Sequence, residues 1–328
     1  MQIHLLLPAD VPVNHNHNLA LIFLARLKKS STFYQKPKTL AMKKLCLLVT
    51  FLSISTFSSF AQYYEAGIML GGTNYMGDIS PNGLAPSEYN LAFGLFGRYN
   101  LNRYVAFKAS LFQGTLSGSD ANNTLSSGLR QRNLSFRTSV MELAITNEFH
   151  LAPLEIRAGK ISVPYVFAGI AGFYFNPQAE FRGNWVDLQP LGTEGQESIN
   201  KSVNKYSRVS VAIPFGFGIK IAVNDKFNIG VEMGIRKTIT DYIDDVSNRY
   251  PDIDHFQGVD PVAATLAYRT PEFYNAPMGN PSGEMRGNPN DQDWYFIGGI
   301  TVSVNLANRK QLEWDKKYKK FEGMQDVD

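Results

Sequence analysis

The sequence predicts an all-β protein, an eight-stranded antiparallel up-and-down transmembrane β-barrel with long extracellular loops. Three observations carry that prediction. Eight stretches alternate between apolar and small or polar residues, as half-buried strands do. The connections between them alternate short and long, which is how outer-membrane barrels distribute periplasmic turns and extracellular loops. In the clearest stretch Val209, Val211, Ile213, Phe215, Phe217, Ile219, Ile221 and Val223 share one face, while Ser210, Ala212, Pro214, Gly216, Gly218, Lys220 and Ala222 share the other.

In chain order, the first element is not a strand. Met42-Lys43-Lys44, the apolar run 45–54 and Ser58-Ser59-Phe60-Ala61 have the basic, apolar and small-residue parts of a secretory signal, with cleavage expected after Ala61. The run is shorter than the roughly 20 residues of a spanning helix. Residues 1–41 stand upstream of this signal, so translation is expected to start at Met42 and the extension to be a mis-assigned start. Its Asn14-His15-Asn16-His17 lacks the carboxylate or Cys partners of a metal site. The single Cys46 leaves with the signal, taking disulfide and thiol chemistry with it.

The barrel is expected over 62–306, with strands at 63–75, 91–100, 105–115, 137–149, 165–175, 209–223, 227–240 and 294–306. Each reaches the roughly 9 to 11 residues that cross a bilayer when tilted. Segments 100–104, 151–164 and 224–226 are the shorter connections; 76–90, 116–136, 176–208 and 241–293 are the long ones. An even strand number with this alternation places both termini in the periplasm, and leaves 307–328 as a charged periplasmic tail.

Composition agrees with that class. Charged residues are 19% of the chain and aromatics 12%, with 27 Gly, 16 Tyr and 22 Phe; the net charge of +3 is spread out, which excludes a nucleic-acid face. Leu91, Phe93, Leu95, Val105, Phe107, Leu111, Met141, Leu143, Ile145, Phe227, Ile229, Val231, Met233 and Ile235 are predicted to face lipid, as are Phe296, Ile300, Val302, Val304 and Leu306 in the last strand. Opposite them fall Arg98, Lys108, Glu142, Glu148, Lys220, Glu232 and Arg236. A barrel of eight strands, OmpA- or OmpX-like in size, is just wide enough for side chains to fill. These charges are therefore expected to pair across a closed lumen. Tyr63, Tyr64, Tyr75, Tyr99, Tyr104, Tyr165, Trp294 and Tyr295 lie near strand ends, where interface aromatics are expected.

Sharper sites are few. Asp241, Asp244 and Asp245 are weak candidates for a cation site in an acidic loop that also holds Asp252, Asp254 and His255, but the Asp spacing of a calcium loop is missing. His150 and His255 are the only histidines after Ala61, and no Ser, His and Asp set stands out, so no enzyme and no cofactor are expected.

Several segments resemble a known family. Gln62-Tyr63-Tyr64-Glu65-Ala66-Gly67 and residues 71–79 are similar to the first strand of the DUF6089 outer-membrane β-barrels of Bacteroidota, as are 212–220, 232–247 and Asp293-Trp294-Tyr295 to later parts. The family includes the PorG-like component of the type IX secretion system. The resemblance implies an integral outer-membrane protein associated with the periplasmic ring of that machine. The likeness is weak over 116–208, and the long 241–293 loop and the tail depart from shorter members. A surface barrel that binds a ligand or matrix protein through its loops, and a small-solute channel, are the alternative expectations.

Overall fold

A computed structural model describes residues 63–80, 85–124, 126–154, 162–197, 204–224, 226–254, 256 and 260–306. The expected upstream extension, signal and tail lie outside these residues, as does His255. Nine strands are present among them: β1 Tyr63–Met76, β2 Asn90–Asn100, β3 Val105–Ser119, β4 Ser135–His150, β5 Ser162–Phe181, β6 Asn184–Asp187, β7 Val209–Ala222, β8 Phe227–Thr238 and β9 Trp294–Asn305. Every strand but β6 pairs antiparallel with two barrel neighbours, β5 pairing with β6 besides, and the β4–β5 and β1–β9 ladders close the sheet into an eight-stranded barrel.

Closure has a measurable stagger. A path of paired residues that leaves β4 at Val140 runs through Gly114, Ala92, Gly71, Gly299, Glu232, Gly218 and Tyr165, and returns to β4 at His150, ten residues on. Such a stagger accompanies tilted strands and a narrow interior. Pro214 interrupts the β5–β7 ladder, where paired residues jump from Ala168↔Phe215 to Ala171↔Ala212. Proline has no N–H to donate there.

Two tight turns close by the same device. Asn102 Oδ1 accepts from the N–H of Tyr104 and Val105 (2.8 and 2.9 Å), and Asn224 Oδ1 from those of Lys226 and Phe227 (2.8 and 2.9 Å). Such Asx turns hold short connections without a partner elsewhere. The β1 start and the β9 end pair at this same end of the barrel (Glu65↔Asn305).

Alternation sorts the side chains as lipid-facing and lumen-facing positions require. The outer wall is a continuous apolar belt: the odd positions of Val209–Val223, and Leu91, Leu95, Leu143, Ile145, Ile170, Ile229, Ile300 and Val302 are all exposed. The predicted aromatics divide. Tyr64 and Tyr104 are exposed, and Tyr99 and Trp294 half-exposed, on the outside. Tyr63, Tyr75, Tyr165 and Tyr295 are buried, which corrects their expected interface position. Each occupies the inward parity of its strand, so nearness to a strand end did not decide its environment.

The long connections fold back over the barrel. β5 continues past it into a hairpin with β6, turning through Arg182 and Gly183 at φ 51° and 81°. A short helix at Leu188–Leu191 follows the hairpin, and others at Ser127–Arg132, Pro261–Ala267 and Thr270–Tyr274 lie in the 116–136 and 241–293 connections. Ile243 and Val246 drop into the barrel mouth against Tyr75, Phe136, Phe175 and Tyr295, sealing it with an apolar layer.

Candidate functional site

The lumen contains four acids and four bases among the described residues. Toward the short-turn end, Arg98 pairs with Glu65 and with Glu148 (2.7 Å), Lys220 reaches Glu65 (2.9 Å), and Lys108 bridges Glu148 (3.5 Å) to Glu232 (2.6 Å). Higher up, Arg236 meets Glu142 (3.2 Å), while its Nη1 also donates to the Gly234 carbonyl (2.8 Å). Tyrosine hydroxyls complete both groups: Tyr165 donates to Glu232 (2.7 Å) and Tyr295 to Glu142 (2.6 Å). All eight charged side chains are buried. Buried ions survive only when paired and hydrogen-bonded, and an even count lets each acid meet a base.

The seven predicted lumen charges thus lie inside the barrel, in two groups. Glu65 was missed. Its signal was its inward parity with Tyr63, Met69 and Thr73, and as the one carboxylate of the first strand it neutralises both Arg98 and Lys220. His150 sits 3.8 Å from Glu148 in the lumen floor. A void of about 10 Å³ beside Thr73, Glu142 and Tyr295 is at the lower limit for one water.

Above the lumen, guanidinium groups tie the loops together. Arg286 is buried; it pairs with Glu194 (3.0 Å) and donates to the carbonyl oxygens of Ala267 (3.2 Å) and Asp245 (2.5 Å). Arg132 pairs with Asp120 (2.7 Å) and donates to the carbonyls of Asp78 (2.8 Å) and Arg286 (2.6 Å). Tyr75 donates to Asp293 (2.5 Å), whose other oxygen takes the Ile243 N–H (2.8 Å). Together these contacts hold all four long connections as one cap.

The first acids of the acidic loop turn inward, while Asp252 and Asp254 are exposed. Asp244 accepts from the N–H of Ile79 (3.2 Å) and Val246 (2.9 Å), and Asp245 accepts from Thr193 and Tyr206 (2.6 Å). Among the described residues no three acidic, His or Cys groups converge to hold a metal ion. The weak cation candidates Asp241, Asp244 and Asp245 are corrected accordingly: all three are buried, Asp244 and Asp245 accept hydrogen bonds within the cap, and both carboxylate oxygens of Asp241 are without a hydrogen-bond partner among the described residues. Asp254, farther along the same loop, accepts from Asn280 (2.9 Å).

Burial pushes the Asp241 carboxyl up to about 8, with repulsion from Asp78, Glu194 and Asp291 adding to it. Burial also raises Asp245 to about 6 against the pull of Arg286, and holds Asp244 and Asp293 well above the usual carboxylate range. An acid whose native pKa exceeds its unfolded value binds its proton more tightly when folded. Its stabilising effect is complete below about 4 and is lost as pH rises to about 8 for Asp241. The cap is therefore expected to loosen between these values. Nicking of the 239–293 loop by a protease, corrected for its activity on an unfolded substrate, should increase from pH 5 to pH 9. Asp241→Asn should flatten the part of that rise lying above pH 6; an identical profile would refute the assignment.

On the flank of the cap an open groove of about 1000 Å³ is lined by Asp78, Arg132, Tyr250, Tyr268, Asn288 and Trp294 among others.

Residues 43–260 match the model of DUF6089, a domain of unknown function. No curated protein matches. Among solved structures the chain is similar to the N-terminal β-barrel domain of Pseudomonas aeruginosa OprF, at 11% identity over 75% of this chain and 98% of that one, with a TM-score of 0.32. It is similar to Ail, the attachment invasion locus protein of Yersinia pestis, in complex with the heparin analogue sucrose octasulfate, at 10% identity over 74% and 99%, TM-score 0.35. Neisserial surface protein A matches at 8% identity over 74% and 96%, TM-score 0.34.

Proposed function

We propose, from the premise that the chain belongs to the DUF6089 family, that it is a non-enzymatic, closed barrel of the bacterial outer membrane that anchors other proteins. The observation that carries this reading is the pairing of four buried acids with four buried bases beneath a sealed mouth. A pore needs a continuous wet path, whereas this interior is filled by ion pairs and aromatic rings. The apolar outer belt supports insertion in lipid, because an exterior this apolar would be costly to leave in water. With the short-turn end in the periplasm, the turns and residues 307–328 are the parts available to a periplasmic partner. On the resemblance of 62–67, 71–79, 212–220 and 232–247 to PorG-like members, that partner is the ring of the type IX secretion system.

Two measurements test the reading. The purified barrel in planar bilayers should show no sustained conductance, and ion-selective steps would replace the anchor with a channel. Mild crosslinking in outer membranes followed by pull-down should recover the periplasmic ring proteins; recovery of the barrel alone would remove the secretion role. A second reading, ligand binding at the cell surface, is favoured by the groove beside Tyr250 and Tyr268. Deletion of 248–285 would then abolish surface binding and leave the barrel folded.

A further inference from the structure

Three cations on the outer wall differ from those in the lumen. Arg137 on β4 stacks on Trp185 (3.7 Å from guanidinium to ring centre), Arg208 just before β7 lies over Tyr174 (5.9 Å), and Lys237 on β8 lies over Trp294 (5.2 Å). Tyr174 and Trp185 are exposed, and Lys237 with them. None of the three cations forms an ion pair among the described residues. Arg137 and Arg208 donate only to the side-chain carbonyls of Gln178 (3.2 Å) and Asn176 (2.9 Å). The neighbouring carboxylate of Asp187 is turned to the amides of the same Asn176 and Gln178 (3.0 and 2.6 Å).

Register places these groups at one level. The ten-residue stagger is shared over eight strands, so a step to the next strand at constant height shifts the pairing by little over one residue. On that basis Arg137, Tyr174, Arg208, Lys237 and Trp294 fall within about four residues of one height. That height is the top of the apolar belt, beside the cap. The opposite rim has Tyr64, Tyr99 and Tyr104 on its outer face, with no cation stacked on them among the described residues. The barrel is therefore asymmetric: among the described residues, the cations stacked on outer-face aromatics lie at the cap end.

We infer that Arg137, Arg208 and Lys237, each backed by an aromatic ring, bind the phosphate groups of a phosphorylated glycolipid in the outer leaflet. Aromatic faces hold the cations in place, and guanidinium forks match phosphate oxygens in a way a hydrated surface lysine does not. Acyl chains of the same lipid would run down the belt over Ile170, Val211 and Ile213. The inference rests on the membrane reading above.

The test uses the full chain with Trp314→Phe, so that Trp185 and Trp294 are the remaining tryptophans. The protein is refolded into vesicles of zwitterionic lipid, and fluorescence is followed as diphosphoryl lipid A, or its dephosphorylated form, is added. Saturation is expected with the phosphorylated lipid alone. The triple variant Arg137→Gln, Arg208→Gln, Lys237→Gln should bind roughly a hundredfold more weakly, since each basic group at an anionic surface contributes about fivefold. Heat-modifiable migration on a gel checks that it is folded, and Lys237→Gln alone, expected to lose about fivefold, serves if it is not. An equal response to both lipids, or unchanged binding by the variants, overturns the inference while leaving the inserted barrel intact. Failure to float with vesicles of any composition removes the membrane reading, and this one with it.

Discussion

Replacing Arg98 by Met is expected to lower the stability of the folded barrel by about 3–5 kcal/mol, the usual cost of removing one partner from a buried ion pair. Arg98 is the centre of the lower lumen group, hydrogen-bonded to Glu65 and to Oε1 of Glu148, with its Nε in ion contact with Oε2. Met is close in length, so it leaves no large cavity, but it strands carboxylates with little water in reach. Lys220 and Lys108 still face Glu65 and Glu148, which keeps the loss from growing further. Urea titration of the refolded protein in micelles, read by the gel shift between folded and unfolded forms, measures the change. A midpoint equal to that of the parent would mean that the acids are protonated or hydrated in place, and that the network is not what fixes the interior. The paired change Arg236→Met with Glu142→Leu provides the contrast. Removing both ions of a buried pair is often neutral or stabilising. The Tyr295 hydroxyl and the carbonyls of Gly234 and Ile297 lose a partner there, but no charge is left unpaired.

Ile145→Arg should have the second large effect, on the opposite face of the wall. Ile145 is 64% exposed, near the middle of the apolar belt, and pairs with Ile170, also exposed. A guanidinium at the bilayer midplane costs about 2–4 kcal/mol, and one at the rim about 0–1. Tyr104→Arg, beside the short-turn end, should therefore be nearly silent in the same vesicles. Equal midpoints for the two variants would show that the belt does not contact hydrocarbon.

Strands were legible because their two faces meet different solvents. All eight predicted stretches correspond to barrel strands, with ends displaced by six residues at most, as at the close of β5. In β7 the contrast between Phe215 or Ile219 and Gly216 or Lys220 is a direct imprint of that difference. In β5 it fades: Val163, Phe167 and Phe173 face inward and Val166, Ile170 and Tyr174 outward, so bulk no longer tells the faces apart. Tyr165 was placed at the interface on its nearness to a strand end, and the weak contrast of this strand gave nothing to correct it. The β5–β6 hairpin was hidden because Arg182 adopts a left-handed conformation more usual for Asn or Gly. Helices of four to seven residues are too short to show a period. The cap was illegible on other grounds. Tyr75 meets Asp293 and Ile79 meets Asp244 across 218 and 165 residues, and no local pattern records contacts at such range. An Asp-rich loop reads as solvated until the guanidinium groups and amides that enclose it are in place.

The ten-residue return of the paired path from Val140 to His150 is an even number, and this governs how such a chain can change over generations. A residue that faces inward on departure must face inward on arrival, so a strand that keeps its regular alternation admits insertions and deletions only in twos, a single one needing a bulge to restore the parity. Without a bulge, a single inserted residue would expose charges such as Glu142 or Lys108 to hydrocarbon along the rest of its strand. Length can drift freely only in the connections, and the lineage of this barrel is expected to record an even-numbered grammar in its wall and an unconstrained one in its cap.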